Sequence, residues 1–469
     1  MLLMVRETWQ SRIGFILAAV GSAVGLGNLW RFPWMAAENG GSAFLVVYLV
    51  LVLFVGVPGL LGAFVLGRRS TRNPVGALHS LSGSRRWRVV GLLYLVTSIA
   101  ILSFYTVVGG WILRYTIESA SGAYFAAPGA YFERIDFGLE AVAFHLTFLG
   151  LTATIVASGI RDGIERATTV MMPLIVVLLV GLAAWAVTLP GAGAGLDFYL
   201  SFDPAPIQSD PFGLLRAAAG QALFTLSVGA GTMITYASYL DEGRSLPADG
   251  ASIAVLNTIV GVLAGLVVFP LLFSMNVDPG SGGPGALFVS LAGAFAELPY
   301  GSVLATVFFL VVALAALSSS ISILELPVSY LVDEHELERR QATLGISALL
   351  AVTGTSAALV PDLFDTLAGV VVDQLLTLGL LVILLFAGWV VGRDALEEYE
   401  RGTGIVGRAF GTPWLYGVAI VLPAFLLFTL VSGWASIGNV PISPAWQGGL
   451  AVGLALVSYA GLRGPNSIL

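Results

Sequence analysis

Cysteine is absent from the 469-residue chain, which excludes disulfides and thiolate metal sites. Lysine is absent as well: all 21 basic residues are arginine. The three histidines (His79, His145, His335) lie far apart in sequence, which speaks against a zinc site. Charge of either sign is scarce, at 10% of residues, where a soluble domain carries about 25%. The net charge of −7 argues against a nucleic-acid partner. No HExxH, GxGD or GxSxG stands in the chain, His335 falling in DEHELE, so an intramembrane enzyme is disfavoured. No phosphate-binding GxxxxGK[ST] is present either.

What the chain has is apolar length. It is 57% hydrophobic with a mean hydropathy of +0.92. Runs of about 20 apolar residues, enough to cross a bilayer, predict twelve helices. They span about 11–37, 41–67, 88–119, 138–158, 166–189, 212–238, 248–276, 298–332, 341–360, 364–392, 412–434 and 445–463. This is an all-α integral membrane protein, 1–469 forming one transmembrane domain. The start, MLLMVRETWQSR, is too short and polar for a cleavable signal. Arginines gather in alternate connectors: Arg6 and Arg12; Arg68, Arg69, Arg72, Arg85, Arg86 and Arg88; Arg161 and Arg166; Arg339 and Arg340; Arg393, Arg401 and Arg408. The positive-inside rule then places both termini in the cytoplasm of a cell-membrane protein. The opposite connectors, Leu189 to Asp210 and Asn276 to Gly285, are rich in Gly and Pro and read as flexible external loops.

Two spans are interrupted. Gly21, Gly25 and Gly27 crowd the first, in GSAVGLGNLWRFP; Gly229 and Gly231 interrupt the sixth, in QALFTLSVGAGTMITY. Each glycine disfavours a helix interior by roughly 1 kcal/mol relative to alanine. Glycine also serves close packing between membrane helices. Two interruptions, each opening a five-helix set, point instead to an inverted-repeat transporter with both helices broken at mid-membrane. The repeats are expected at about 11–189 and 212–392, with peripheral helices at about 412–463.

The stretch GSAVGLGNLWRFPWMAAENGGSAF resembles the first helix and following turn of the neurotransmitter:sodium symporters. The resemblance continues through RETWQSR, GQALFTLSVGAGTMITYASY, VLNT and ALSSSISILELP. It implies a LeuT-type fold and sodium-coupled symport of neutral, hydrophobic L-amino acids by alternating access. The alternative is a transporter-like receptor that binds without transport. It also implies site residues. The substrate carboxylate would meet the amides of Leu26 and Gly27 and the hydroxyl of Tyr105. The side-chain compartment would be lined by Ser22, Ile101, Phe224, Ser227, Ala230, Ser319 and Ile323. One sodium would take Ala23, Asn28, Thr225, Asn257 and the substrate carboxylate. The second would take Gly21, Val24, Ala315, Ser318 and Ser319. Gates would pair Arg31 with Asp365, helped by Gln221, on the outer side, and Arg6 with Asp333, beside Trp9, on the inner side.

Departures from the family pattern are informative. Ala230 stands where leucine-transporting members carry a large aromatic. Gly25 stands where biogenic-amine members carry an aspartate, so a zwitterion is expected rather than a monoamine. Ala63 replaces a usual glutamate. Glu325 and Asp373 are acids inside apolar runs, functional candidates by default; for Glu325 a wet inner vestibule near Asp333 is the alternative. Tyr48, Gln221 and Thr225 resemble part of a chloride site, but Gly261 takes the place of its serine, so chloride stays open, as does a homodimer. Coupling two sodium ions to a tenfold gradient and a 100 mV potential supplies roughly 7 kcal/mol, sufficient without ATP.

Overall fold

The computed structural model describes residues 7–277, 287–437 and 448–456. Every regular element among the described residues is helical. A bilayer offers no partner for free backbone N–H and C=O groups, and a helix satisfies them within itself. Helix 1 comprises Arg12–Ala23 and Gly27–Glu38, bent by 53° at the break between them. Helices 2 to 5 are Ser42–Ser70, Arg85–Ser119, Leu139–Ala157 and Ile160–Ala186. Helix 6 is again two pieces, Pro211–Thr225 and Thr232–Ala237. Helices 7 to 11 are Leu246–Ser274, Gly301–His335, Arg339–Leu359, Pro361–Val391 and Ile405–Val431. Residues 448–456 are helical and fall in the predicted twelfth span. Among the described residues nine unbroken helices are long and apolar enough to cross a membrane, and bent helix 1 makes ten.

Polar side chains mark where helices start. Ser11 accepts from Gly14 N–H at helix 1, Ser84 from Arg86 N–H at helix 3, Asp210 from Gly213 N–H at helix 6 and Ser245 from Ala248 N–H at helix 7. Each satisfies one of the donors a helix leaves open at its first turn. Helix 8 is the most enclosed span, while helices 4 and 9 turn most of their surface outward. Helices 1, 3, 6 and 8 meet at the breaks in 1 and 6, where Leu26 contacts Tyr105 and the Ser22 carbonyl contacts Ser227 and Ser319.

Two expectations are corrected. Leu189 to Asp210 is not a flexible loop: it folds into helices Ala192–Leu200 and Ala205–Ser209. Its apolar residues find a surface, with the Tyr199 ring 4.9 Å from Phe269 and Phe198 5.4 Å from Phe273 on helix 7. Helix 5 begins at Ile160, not near 166, because a wide turn over Ile160–Glu165 continues directly into it. Arg161 and Arg166 therefore lie on the helix. Residues 278–286, within the other predicted loop, lie outside the described residues.

Candidate functional site

At the break in helix 1, Leu26 N–H points to the Tyr105 hydroxyl of helix 3 at 3.4 Å. Gln221 Nε2 on helix 6 donates to the Gly27 carbonyl at 2.8 Å. The first bond brings predicted carboxylate elements together from helices 1 and 3, and the second ties the break to Gln221, predicted as a helper of the outer gate. Gly25 must lack a side chain: a Cβ there would fall 2.3 Å from Ser319 Oγ and 3.0 Å from the Tyr105 hydroxyl.

Two clusters of oxygen flank this point. In the first, Asn28 Nδ2 donates to Asn257 Oδ1 at 2.9 Å and to the Asn257 carbonyl at 3.1 Å. Asn257 Nδ2 donates to Thr225 Oγ1 at 3.0 Å. All three residues are fully buried, and Asn28 Oδ1 has no hydrogen-bond partner among the described residues. An unmatched buried amide oxygen carries a desolvation penalty of about 1–3 kcal/mol, which a hard cation would relieve. In the second cluster, Ser319 Oγ lies 3.4, 3.2 and 3.3 Å from the carbonyls of Gly21, Ser22 and Val24. Ser318 Oγ lies 3.3 Å from Val24 O and 2.9 Å from Ala315 O. A serine has one proton to donate, so three carbonyls around Ser319 leave acceptors in excess. The donor set is all oxygen, as sodium requires.

Ser227 Oγ donates to the Ser22 carbonyl at 2.7 Å, bridging the two breaks. Ser22, Ile101, Ala230, Ser319 and Ile323 are buried. They lie outside the lining of a cavity of about 440 Å³ whose floor is Leu26, Tyr105 and Phe224. Of the predicted side-chain compartment, Phe224 alone lines that cavity among the described residues.

The cavity reaches the two residues of the predicted outer gate. Arg31 and Asp365 both line it, and the Arg31 guanidinium sits 4.9 Å from the centre of the Phe224 ring. Sequence reasoning missed its aromatic wall: Trp30, Trp34, Phe104, Trp111, Phe132 and Phe364. Trp30 and Trp34 bracket Arg31 at helical spacing, the one readable signal. The others come from separate elements that only the fold brings together. Asp136, also on the wall, is held above the usual carboxylate range by burial.

The opposite end of the bundle carries the residues of the predicted inner gate. Trp9 is buried, its Nε1 donating to the Tyr236 carbonyl at 2.9 Å. Asp333 accepts from the backbone and side-chain nitrogens of Asn73, both at 3.1 Å. Its predicted partner Arg6 lies outside the described residues. Glu325 does not sit in a wet vestibule. It is fully buried, accepting from the Tyr239 hydroxyl at 2.7 Å and from Arg339 Nη1 at 2.7 Å. Arg339 also reaches Glu7 at 3.5 Å. A buried carboxylate requires such partners, so Glu325 on helix 8 ties the segment just after helix 6 to the start of helix 9. The Asp373 side chain lies outside the described residues.

A family model described as the Sodium:neurotransmitter symporter family matches residues 6–125 and 136–462. An uncharacterized sodium-dependent transporter of Bacillus subtilis is 34% identical over 442 residues, covering 90% of this chain and 97% of the relative. A second, of Methanocaldococcus jannaschii, is 34% identical over 452 residues, covering 90% and 89%. The sodium-dependent dopamine transporter of Bos taurus is 28% identical, covering 97% of this chain and 73% of the relative. Among solved structures, that of MhsT in complex with L-phenylalanine matches with a TM-score of 0.82 at 37% identity. It covers 92% of this chain and 100% of that one.

Proposed function

This chain belongs to the sodium:neurotransmitter symporter family, and from that premise we propose that it is a sodium-coupled symporter of neutral amino acids with hydrophobic side chains. Its family is one of multi-pass, sodium-dependent transporters with the LeuT-type fold. The observation that carries the proposal is the excess of carbonyl and hydroxyl oxygen around Ser319 and Asn28, beside a break whose Leu26 N–H faces Tyr105. The amide end of the break takes the carboxylate. The oxygen clusters take two sodium ions, one sharing the carboxylate and so coupling cation to cargo. The halves at about 11–189 and 212–392 act as inverted repeats around this point, both termini facing the cytoplasm of a cell-membrane protein.

Alternating access follows from the two ends. An outer cavity reaches the site while Trp9, Asn73 and the Glu325 tie keep the inner end closed. Arg31 and Asp365 close the outer end when cargo is bound. A gate built from such a partly exposed pair contributes about 0–1 kcal/mol, weak enough to open on every cycle. Purified protein in liposomes should accumulate a hydrophobic amino acid only under an inward sodium gradient. Equal uptake with potassium or choline replacing sodium would defeat the proposal.

Ala230 sets the size of the cargo. It is buried in the helix 6 break, and the solved neighbour was crystallised with L-phenylalanine. Ala230→Phe should lower apparent affinity for phenylalanine and tryptophan by roughly 10-fold or more, with a smaller effect on alanine, because pocket volume discriminates by about 1–3 kcal/mol per methylene. Competition by each amino acid against a radiolabelled cargo measures this. Parallel losses for large and small side chains would remove Ala230 from the compartment.

A further inference from the structure

We infer that Arg85 and Arg86, at the arginine-bearing end of helix 3, hold the headgroup of an anionic glycerophospholipid whose chain lies along that helix. The placement rests on three features. Arg85, Arg86 and Arg88 are exposed. Arg88 and the neighbouring Arg72 share Glu334 at 3.6 and 3.3 Å, and Arg69 takes Asp394 at 2.5 Å. Arg85 and Arg86 have no ion pair among the described residues, which leaves two guanidinium forks for an external anion. Such forks match phosphate oxygens two at a time.

The second feature is register. Arg85, Val89, Leu92 and Val96 follow one another at i, i+4, i+7 and i+11, which is one face of a helix. Val89, Leu92 and Val96 are 67%, 39% and 59% exposed, so this face turns away from the protein. At 1.5 Å per residue the stripe is about 16 Å long, close to half of a hydrocarbon core of about 30 Å. An acyl chain of one leaflet would run along it with its phosphate beside Arg85. A soluble anion would use the guanidiniums but not the stripe.

The third feature is rigidity. Trp87, between the arginines, packs edge-on against Phe386 of helix 10, with centroids 4.7 Å apart. The start of helix 3 is thereby held against its neighbour, so less order is lost when the headgroup binds. The chemistry is that of basic clusters at the inner face of a membrane, which attract anionic lipid.

The inference rests on the multi-pass reading, not on the cargo, and its test needs no transport. Delipidated full-length protein is titrated with phosphatidylglycerol, phosphatidylcholine or inorganic phosphate, with bound copies counted by native mass spectrometry. Arg85→Gln/Arg86→Gln should bind phosphatidylglycerol roughly 30-fold more weakly at this site, and Arg85→Lys/Arg86→Lys should recover much of it. Arg408→Gln, an exposed arginine elsewhere, should leave it unchanged. Equal phosphatidylglycerol binding in the glutamine variant overturns the site. Equal occupancy by phosphatidylcholine overturns the anionic assignment, and equal occupancy by phosphate overturns the lipid. Sodium in the buffer should alter none of these results, so a failure of sodium-driven uptake would leave this one standing.

Discussion

Gly229→Ala is expected to destabilise the protein by about 2–5 kcal/mol and to abolish cargo binding. Gly229 lies in the helix 6 break with φ of +95°, a conformation that disfavours an L side chain by roughly 1–2 kcal/mol. A Cβ there would also fall 2.1 Å from the Leu376 carbonyl of helix 10. That atom is backbone and cannot turn aside, so the helices must separate, at about 1–3 kcal/mol. The contact is mutual, since a Cβ on Gly379 of helix 10 would fall 2.0 Å from the Gly229 carbonyl. Gly220→Ala, on the same helix with nothing within 4 Å of its Cβ position, should be close to neutral. Thermal unfolding and size-exclusion profiles of the two variants decide the matter. Matched stability would mean that the break is not seated against helix 10.

Asn28→Ala is expected to raise the sodium concentration needed for cargo binding by about 10- to 100-fold. The substitution removes an amide oxygen with no partner among the described residues and takes the donor away from Asn257 Oδ1. Sodium would relieve the about 1–3 kcal/mol that the unmatched Asn28 oxygen costs, and losing that relief is the factor quoted. The donor lost to Asn257 Oδ1 falls on stability instead, so the sodium-free thermal midpoint should drop modestly. The diagnostic is cargo binding measured across a sodium series. An unchanged sodium dependence would remove Asn28 from the cation site, whatever happened to the midpoint.

Much of the architecture was legible because membrane helices announce themselves by length, and breaks in them by glycine. The breaks at Gly25 and Gly229 are legible in that way, and roles for Asn28, Asn257, Ser318 and Ser319 came only as implications of the family resemblance. Boundaries were less legible. Helix 5 starts earlier than its hydropathy suggests because a wide turn at Ile160–Glu165 carries polar residues into the helix. The helix at Ala192–Leu200 was hidden by its glycines, and its apolar side chains became meaningful only against Phe269 and Phe273.

The order of residues along the chain determined by itself that this is a helical membrane protein with two interrupted spans, since backbone groups in lipid leave few alternatives. Only the tertiary structure decided which oxygens converge on Ser319, that Glu325 answers Arg339 and Tyr239, and which aromatic rings wall the cavity. Those relations join residues of different segments, from 14 to about 300 positions apart. Periodicity is a local property of a helix, whereas the partner of a buried polar group is set by which helices pack together.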